Sequence, residues 1–155
     1  MKVAIGCDEA GLDLKIVMVR HLKARGVEPI DFGVDADTPP GTDYPDIAQA
    51  VAESIVRGDQ QRGILICGTG IGMAIAANKI PGIRAAQAHD TYSAERARKS
   101  NDAQIVSLGA RVIGAELAKS IVDVWLESEF TGGASAAKVE KIEKIDAAQR
   151  ARVRS

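Results

Sequence analysis

The chain has 155 residues, of which 46% are hydrophobic and 26% charged, and its formal net charge is −1. This is the composition of an ordinary soluble globular domain, and the near-neutral charge gives no reason to expect nucleic-acid or membrane partners. An aromatic content of 3% disfavours a base-stacking surface, and no apolar run approaches the roughly 20 residues that a bilayer-spanning helix needs.

Strands and helices alternate along the whole chain in the hydrophobic pattern. The predicted strands are 2–7, 27–32, 63–67, 83–87 and 103–108, and the predicted helices are 10–25, 46–57, 71–79, 91–99, 112–126 and 134–150. An apolar stripe of the first helix should face the core. Its members are Leu12, Ile16, Val19 and Leu22. His21, in the same helix, should lie on the surface, and Asp90 can cap the helix at 91–99.

Five short strands, each followed by a helix, predict a parallel sheet with helices on both faces, which is a three-layer α/β/α fold. Open sheets of this kind bind ligands at the carboxyl ends of their strands. The polar residues that follow the strands should therefore share one cleft containing two thiols, carboxylates, a histidine and an arginine. They are Cys7, Asp8, Glu9, Cys67, Thr69, His89, Asp90 and Arg111.

The tail at 134–150 is a charged helix that follows a Gly132-Gly133 break. Its apolar stripe is narrow, with Val139, Ile142 and Ile145 spaced by three residues. We expect this helix to pack on a second subunit, since homodimers are the commonest oligomers. Folding back onto its own domain is the alternative.

The segment from Ile64 to Lys79 carries the strongest chemical signal. A buried strand ends at Cys67 and is followed at once by the glycine-rich run 68–72 and a helix. This pattern leaves a thiol, the Thr69 hydroxyl and free backbone N–H groups around one small volume, which suits a phosphate or an enolate oxygen. A cysteine at such a position is often only a small hydrophobic residue. The glycines and the helix N-terminus nevertheless favour a thiolate that acts as a base or nucleophile.

The glycine run also admits two other interpretations. It contains a GxGxG pattern, but a dinucleotide site would carry that pattern after the first strand rather than the third. It can also be a tight turn with no ligand. The two cysteines end apolar runs, which predicts free thiols and a reducing cytoplasm. We expect Cys7 to be structural, because the neighbouring Asp8 should raise its pKa.

Three further residues have both a structural and a functional interpretation. Asp8 can be a helix N-cap, worth about 1 kcal/mol, or can accept a hydrogen bond from a substrate hydroxyl. Tyr44, in the loop before the second helix, can pack its ring on the domain surface or contact substrate. His89 lies where the cleft should be and is either a substrate-binding residue or a structural one.

The chain resembles the ribose-5-phosphate isomerase B family, which includes galactose-6-phosphate isomerase subunits. The matching segments run in order along nearly the whole chain, and ICGTGIGMAIAANK is the most specific. They are 5–8, 43–45, 64–79, 83–86, 92–94, 101–102, 109–114 and 132–133. The resemblance implies a single Rossmann-like isomerase domain over 1–155, with 134–150 as a dimerisation helix. It implies a homodimer, or a tetramer, with sites at the subunit interface and with no metal or nucleotide cofactor.

The resemblance also implies a reaction in which a base moves a proton between adjacent carbons through a cis-enediolate. Family members use either a Cys at the start of the glycine loop or a Glu six residues later. Here these positions hold Cys67 and Met73, so Cys67 is the implied base. Thr69 would shuttle a proton between the two oxygens, and the N–H groups from Gly68 to Gly72, including Gly70, would hold the enediolate. Asp8, Tyr44 and Asn101 would contact sugar hydroxyls, and Arg111 the phosphate.

The chain departs from the family pattern at three places. Glu9 replaces a phosphate-binding His, and Ser100 replaces the His that opens a furanose ring. Two phosphate-binding arginines are replaced by Ala134 and Lys138. Each lost partner costs on the order of 1.5–3 kcal/mol, so ribose 5-phosphate binding should weaken. We count Glu9, His89, Ser100 and Lys138 among the candidate substrate-binding residues.

The run 89–96 together with Ser100-Asn101 resembles the branch that acts on erythrulose 4-phosphate. We therefore expect a pentose- or tetrose-phosphate isomerase, with an unphosphorylated sugar as a further alternative. The rival from another class is a non-catalytic subunit that only binds a sugar phosphate. A nucleotide-binding module ranks third.

Overall fold

The computed structural model of the protein describes residues 1–155. The strands are β1 (Lys2–Cys7), β2 (Glu28–Asp31), β3 (Arg62–Cys67), β4 (Ala85–Gln87) and β5 (Ile105–Gly109). The helices are α1 (Leu12–Ala24), α2 (Tyr44–Val56), α3 (Ile71–Ala77), α4 (Thr91–Lys99), α5 (Ala115–Glu127) and α6 (Ala136–Arg154). All strand pairs are parallel, in the order β2-β1-β3-β5-β4. Helices α1, α4 and α5 cover one face of the sheet, and α2 and α3 cover the other. The predicted three-layer α/β/α fold is confirmed.

Most predicted boundaries lie within two residues of the observed ones. The predicted cap of α4 is confirmed, since Asp90 accepts a hydrogen bond from the backbone N–H of Ser93 at 2.6 Å. Helix α2 begins two residues earlier than predicted, at Tyr44. Asp46 explains this difference, because its carboxylate accepts a hydrogen bond from the Asp43 N–H at 2.9 Å and so satisfies a donor at the helix start.

The predicted apolar stripe of α1 is confirmed for three of its four members. Leu22 is fully buried and Leu12 and Val19 pack partly buried against the core, whereas Ile16 is 42% exposed. Leu14 and Met18, which the predicted stripe omits, are also buried. A 3-10 turn over Glu9–Gly11 precedes α1 and sets which face meets the sheet. The prediction that His21 lies on the surface is only partly right, since its side chain is 18% exposed. Its Nε2 lies 2.6 Å from Oδ1 of Asp123, so its ring bridges α1 and α5.

The parallel sheet has two functionally different edges. We call the edge where the strands end the carboxyl edge, and the edge where they begin the amino edge. Cys67 and Gly109 pair at the carboxyl edge, and Gly63 and Ile105 pair near the amino edge. Four residue steps along β5 separate these two pairs, which corresponds to about 13 Å.

The tail helix α6 lies beside the amino edge of its own chain. The backbone N–H of Gly82 donates to Asp146 at 2.7 Å, and Arg84 donates to Glu143 at 3.1 Å. Only Val139 of this helix is buried, whereas Ile142 and Ile145 are 43% and 63% exposed. The helix thus folds back onto its own chain with two of the three residues of its apolar stripe uncovered, and its packing on a second subunit stays a prediction.

Candidate active site

The sulfur of Cys67 lies under a backbone N–H group. Cys67 is the last residue of β3 and is 5% exposed, and the N–H of Gly70 donates to its Sγ at 3.0 Å. Gly70 has a φ of +77°, and a Cβ there would lie 2.9 Å from the backbone of Leu108. Only glycine fits this turn without strain. The loop therefore aims a hydrogen-bond donor at the position where a thiolate would carry its charge.

The backbone N–H groups of the loop fall into two sets. The N–H of Ile71 donates to Oγ1 of Thr69 at 3.2 Å, and that of Gly70 is taken by the sulfur. The N–H groups of Gly68, Thr69 and Gly72 donate to no acceptor in the chain. We expected the five N–H groups from Gly68 to Gly72 to hold the enediolate oxygen. In the structure only three of them are free to do so.

Two side chains from neighbouring strands hold this loop. Ser107, fully buried in β5, donates from Oγ to the carbonyl oxygen of Gly70 at 2.7 Å. Gln87, at the end of β4, donates from Nε2 to the carbonyl oxygen of Thr69 at 2.7 Å. Sequence reasoning missed both residues. The available signal for Ser107 was a lone hydroxyl inside the apolar strand IVSLG, where a buried polar group needs a partner.

Cys7 differs from Cys67 although both are buried free thiols at strand ends. Its Sγ faces the carbonyl oxygen of Val34 at 3.8 Å. Burial raises the pKa of the Cys7 thiol to about 11. Asp8 contributes to this rise, but burial is the largest cause, so the sequence-based explanation gave the correct direction and the wrong dominant cause. A thiol that stays protonated is a structural group, as predicted.

Asp8 and Tyr44 flank the loop. Each makes the structural contact predicted for it, Asp8 as a helix cap and Tyr44 by packing its ring. Oδ1 of Asp8 accepts the N–H of Gly11 at 3.0 Å, and the Asp8 N–H donates to Ile66 of β3 at 3.1 Å. The ring of Tyr44 packs on Gly72, where a Cβ would lie 2.7 Å from the ring. Tyr44 is nevertheless 41% exposed, and one carboxylate oxygen of Asp8 is not used in the cap. Both side chains can therefore still contact a ligand beside the loop.

A cation and a histidine complete the surroundings of the loop. The guanidinium of Arg111 lies across Gly68, since a Cβ on Gly68 would be 3.4 Å from its Nη1. Nε2 of His89 accepts the N–H of Gly109 at 2.9 Å. The proton of the neutral ring therefore sits on Nδ1. His89 thus connects the end of β4 to the end of β5, which agrees with the structural alternative of the two roles predicted for it. Glu9 is exposed in the 3-10 turn before α1.

Three candidate residues lie elsewhere. Ser100 and Asn101 form the turn between α4 and β5, and Lys138 lies in the first turn of α6. All three are at the amino edge, about 13 Å or more from Cys67 when measured along β5. Within a single chain, these three residues therefore do not approach the Cys67 thiol.

Met73 is fully buried in α3. The position that would hold the alternative base of the family thus carries no ionisable group, which leaves Cys67 as the base candidate in this loop. No group of three or more His, Cys, Asp or Glu side chains is arranged to hold a metal ion. None of the helices is long and apolar enough to cross a membrane.

A thiol and backbone N–H donors at the carboxyl edge of a parallel sheet fit the class of aldose–ketose isomerases, which move a proton between adjacent carbons. The family model described as Ribose/Galactose Isomerase matches residues 3–142. The chain therefore belongs to this family of sugar-phosphate isomerases.

Relatives of the chain carry two different substrate names. It is 58% identical over 146 residues to ribose-5-P isomerase B of Listeria innocua serovar 6a, covering 94% of this chain and 97% of that protein. It is 57% identical over 144 residues to D-erythrulose-4-phosphate isomerase of Pectobacterium atrosepticum, covering 92% and 93%. Among solved structures, ribose-5-phosphate isomerase B of Clostridium thermocellum superposes with a TM-score of 0.91 at 49% identity, covering 96% of this chain and 99% of that one.

Proposed function

We propose that this protein interconverts an aldose phosphate and a ketose phosphate through a cis-enediolate, with Cys67 as the base. The observation that carries the proposal is the loop geometry. The Gly70 N–H is 3.0 Å from Sγ of Cys67, and the free N–H groups of Gly68, Thr69 and Gly72 adjoin it. Proton abstraction next to a carbonyl needs this combination of a base and donors for the oxygen that becomes negative.

The proton transfers balance as follows. The Cys67 thiolate takes the proton from the carbon beside the carbonyl, and the C–H electron pair forms the enediolate double bond. The free N–H groups stabilise the resulting oxyanion. The Thr69 hydroxyl moves a proton from one enediolate oxygen to the other, and the Cys67 thiol then returns its proton to the former carbonyl carbon. Asp8 and Tyr44 bind sugar hydroxyls, and Arg111 binds the phosphate.

The functional unit in this proposal is a homodimer, or a tetramer built from such dimers. Asn101, Ser100 and Lys138 belong to the amino edge, so they meet a substrate held at Cys67 only if a second copy supplies them. The uncovered apolar side chains of α6 support such a contact, since Ile142 and Ile145 are 43% and 63% exposed. In a two-fold dimer each copy would contribute both edges, one to each site.

A four-carbon ketose phosphate is the second substrate candidate beside a pentose phosphate. Ser100 stands where the family pattern has a ring-opening His, and a four-carbon ketose whose terminal oxygen is phosphorylated forms no stable furanose ring. Glu9 adds a negative charge to the same edge as Arg111, which weakens phosphate binding. The relatives named for ribose 5-phosphate and for erythrulose 4-phosphate are almost equally similar to this chain, so their names do not choose between the candidates.

The test is a substrate panel with the wild-type protein. It contains ribose 5-phosphate, erythrulose 4-phosphate, galactose 6-phosphate and unphosphorylated ribose. We expect turnover of a phosphorylated sugar. The pentose candidate predicts the highest kcat/KM for ribose 5-phosphate, and the four-carbon candidate predicts it for erythrulose 4-phosphate. Ribose 5-phosphate as the best substrate would refute the four-carbon preference, and turnover of free ribose alone would refute the phosphate requirement.

A subunit that only binds sugar phosphates is the rival function, and deuterium exchange separates it from an isomerase. An isomerase incubated with its substrate in deuterated water exchanges the carbon-bound proton through the Cys67 sulfur. A binding subunit exchanges none, because binding alone breaks no C–H bond.

A further inference from the structure

We infer that Arg84 is a positioning residue that holds Asn101 in the geometry needed at the active site of a second copy of the chain. The inference rests on the proposed function. It concerns a residue to which the sequence analysis gave no role, although Arg84 belongs to the matching segment 83–86. Arg84 lies just before β4, away from the Cys67 loop.

The guanidinium of Arg84 donates hydrogen bonds to the turn that contains Asn101. Its Nε donates to the carbonyl oxygens of Asn101 at 3.2 Å and Asp102 at 3.0 Å, and its Nη2 donates to Oδ2 of Asp102 at 3.2 Å. One planar group therefore fixes two successive peptide carbonyls and a carboxylate, which a lysine ammonium could not do at the same time.

This turn depends on such support because its backbone is unusual. Asp102 has a φ of +48° and is the one residue other than glycine with a positive φ. A left-handed residue of this kind costs on the order of 1 kcal/mol and persists only where its surroundings hold it. Arg98 holds it from the other side, since its Nη1 donates to Oδ1 of Asp102 at 3.0 Å and to the carbonyl oxygen of Ala103 at 2.9 Å.

The remaining nitrogen of the Arg84 guanidinium contacts the tail helix. Nη1 donates to Oε1 of Glu143 at 3.1 Å, and Glu143 lies on α6, the helix that carries Lys138. Asn101, Arg84 and Glu143 line a groove of about 1010 Å³ between α6 and the 78–86 segment, and the Arg84–Glu143 contact crosses it. Arg84 thus connects both amino-edge elements that the proposed function assigns to the substrate.

Arg84 itself is not a phosphate ligand. Its side chain is 13% exposed, and each of its three nitrogens donates to a protein oxygen. Two carboxylates, on Asp102 and Glu143, already neutralise its charge. Its effect on the reaction must therefore pass through the groups that it holds.

A double-mutant cycle tests this mode of action. Arg84→Met should lower kcat/KM by about 10²-fold, since a displacement of about 1 Å is enough for such a loss. Combined with Asn101→Ala, it should lower kcat/KM no further than Asn101→Ala alone, because Arg84 acts through the contact of the Asn101 side chain with the substrate, which Asn101→Ala already removes. Losses that multiply would overturn the inference. Arg84→Lys should fail to restore activity, and full activity in that variant would show that charge alone is sufficient.

A mixing experiment tests whether the effect acts across the interface. Chains with Cys67→Ala and chains with Arg84→Met are refolded together in equal amounts. The mixture should recover about a quarter of wild-type activity, because half of the dimers are mixed and one of their two sites is intact. No recovery above the two parents, with mixed dimers present, would show that Arg84 acts within its own chain.

Two controls keep these outcomes interpretable. If Arg84→Met does not fold, Asp102→Asn takes its place, because Asn tolerates the left-handed backbone and weakens the same contact. A wild-type protein that turns over no sugar phosphate would refute the proposed function itself. An active wild type with an additive cycle would refute only the role of Arg84.

Discussion

The two edges of the sheet differ in the kind of hydrogen-bond donor that they use. At the carboxyl edge the groups that define the candidate reaction centre are backbone N–H donors, and Gly70 lets them come close to the Cys67 sulfur. At the amino edge the structure is held by guanidinium groups between carbonyls and carboxylates, as at Arg62 and Arg84. The comparison indicates that main-chain groups define the candidate reaction centre, whereas charged side chains hold the elements that, in the proposed function, a partner brings to the substrate.

The largest expected loss of activity is that of removing the Cys67 thiol from the carboxyl edge. Cys67→Ala should lower kcat by about 10³-fold while the protein stays folded, because it removes the base. Cys7→Ala is the matched control, since it removes a buried thiol from the neighbouring strand and should leave kcat within a few-fold of wild type. Steady-state kinetics on the best panel substrate measures both. Equal losses in the two variants would contradict the assignment of the base.

At the amino edge the corresponding test is Arg62→Met. Arg62 is 3% exposed and donates to the carbonyl oxygens of Trp125, Leu126 and Ser128 at 2.7–2.9 Å. Its loss leaves these carbonyls buried and unpaired, so the free energy of unfolding should fall by about 3 kcal/mol. Arg57→Met, which removes an exposed ion pair with Asp59, should cost less than about 1 kcal/mol. Urea unfolding compares the two, and similar values would show that the buried network contributes little.

The raised pKa of Cys7 predicts a stability loss at alkaline pH. Above pH 9.0 the thiol of the unfolded chain releases its proton, whereas the folded protein keeps it up to about pH 11. The unfolded state is therefore favoured as the pH rises, by about 1.5 kcal/mol between pH 9 and pH 10.5. Urea unfolding of wild type and Cys7→Ala across this range measures the difference, which should shrink with pH. A slope unchanged in Cys7→Ala would exclude Cys7 as its source.

The smallest expected effect concerns Glu9 at the rim of the carboxyl edge. Glu9→Gln should lower KM for phosphorylated substrates by about fivefold, since removing a like charge near the phosphate gains about 1 kcal/mol. Asp13→Asn removes an exposed carboxylate from the first turn of α1 and should leave KM unchanged. The gain should weaken at high salt. An unchanged KM in Glu9→Gln at low salt would place the phosphate away from this residue.

Sequence reasoning identified the parts of the molecule that are local in the chain. The strand, glycine loop and helix around Cys67 follow one another within a few residues, so the pattern was sufficient to predict them. The contacts of Arg84 and Ser107 join residues 18 and 37 positions apart, and no periodicity records such pairs. Lys15 shows the same limit. It is 2% exposed and donates to Asp31 at 2.8 Å and Val34 at 2.7 Å, although its charge predicts a place in solvent.

The free N–H groups of Gly68, Thr69 and Gly72 have a consequence for how this enzyme can diversify. They belong to the main chain, so a substitution other than proline leaves the donor groups themselves in place. In the proposed function, preference for sugar length or for phosphate depends instead on replaceable side chains such as Glu9, Ser100 and Lys138. New specificities are therefore accessible by a few substitutions around an unchanged proton-transfer centre.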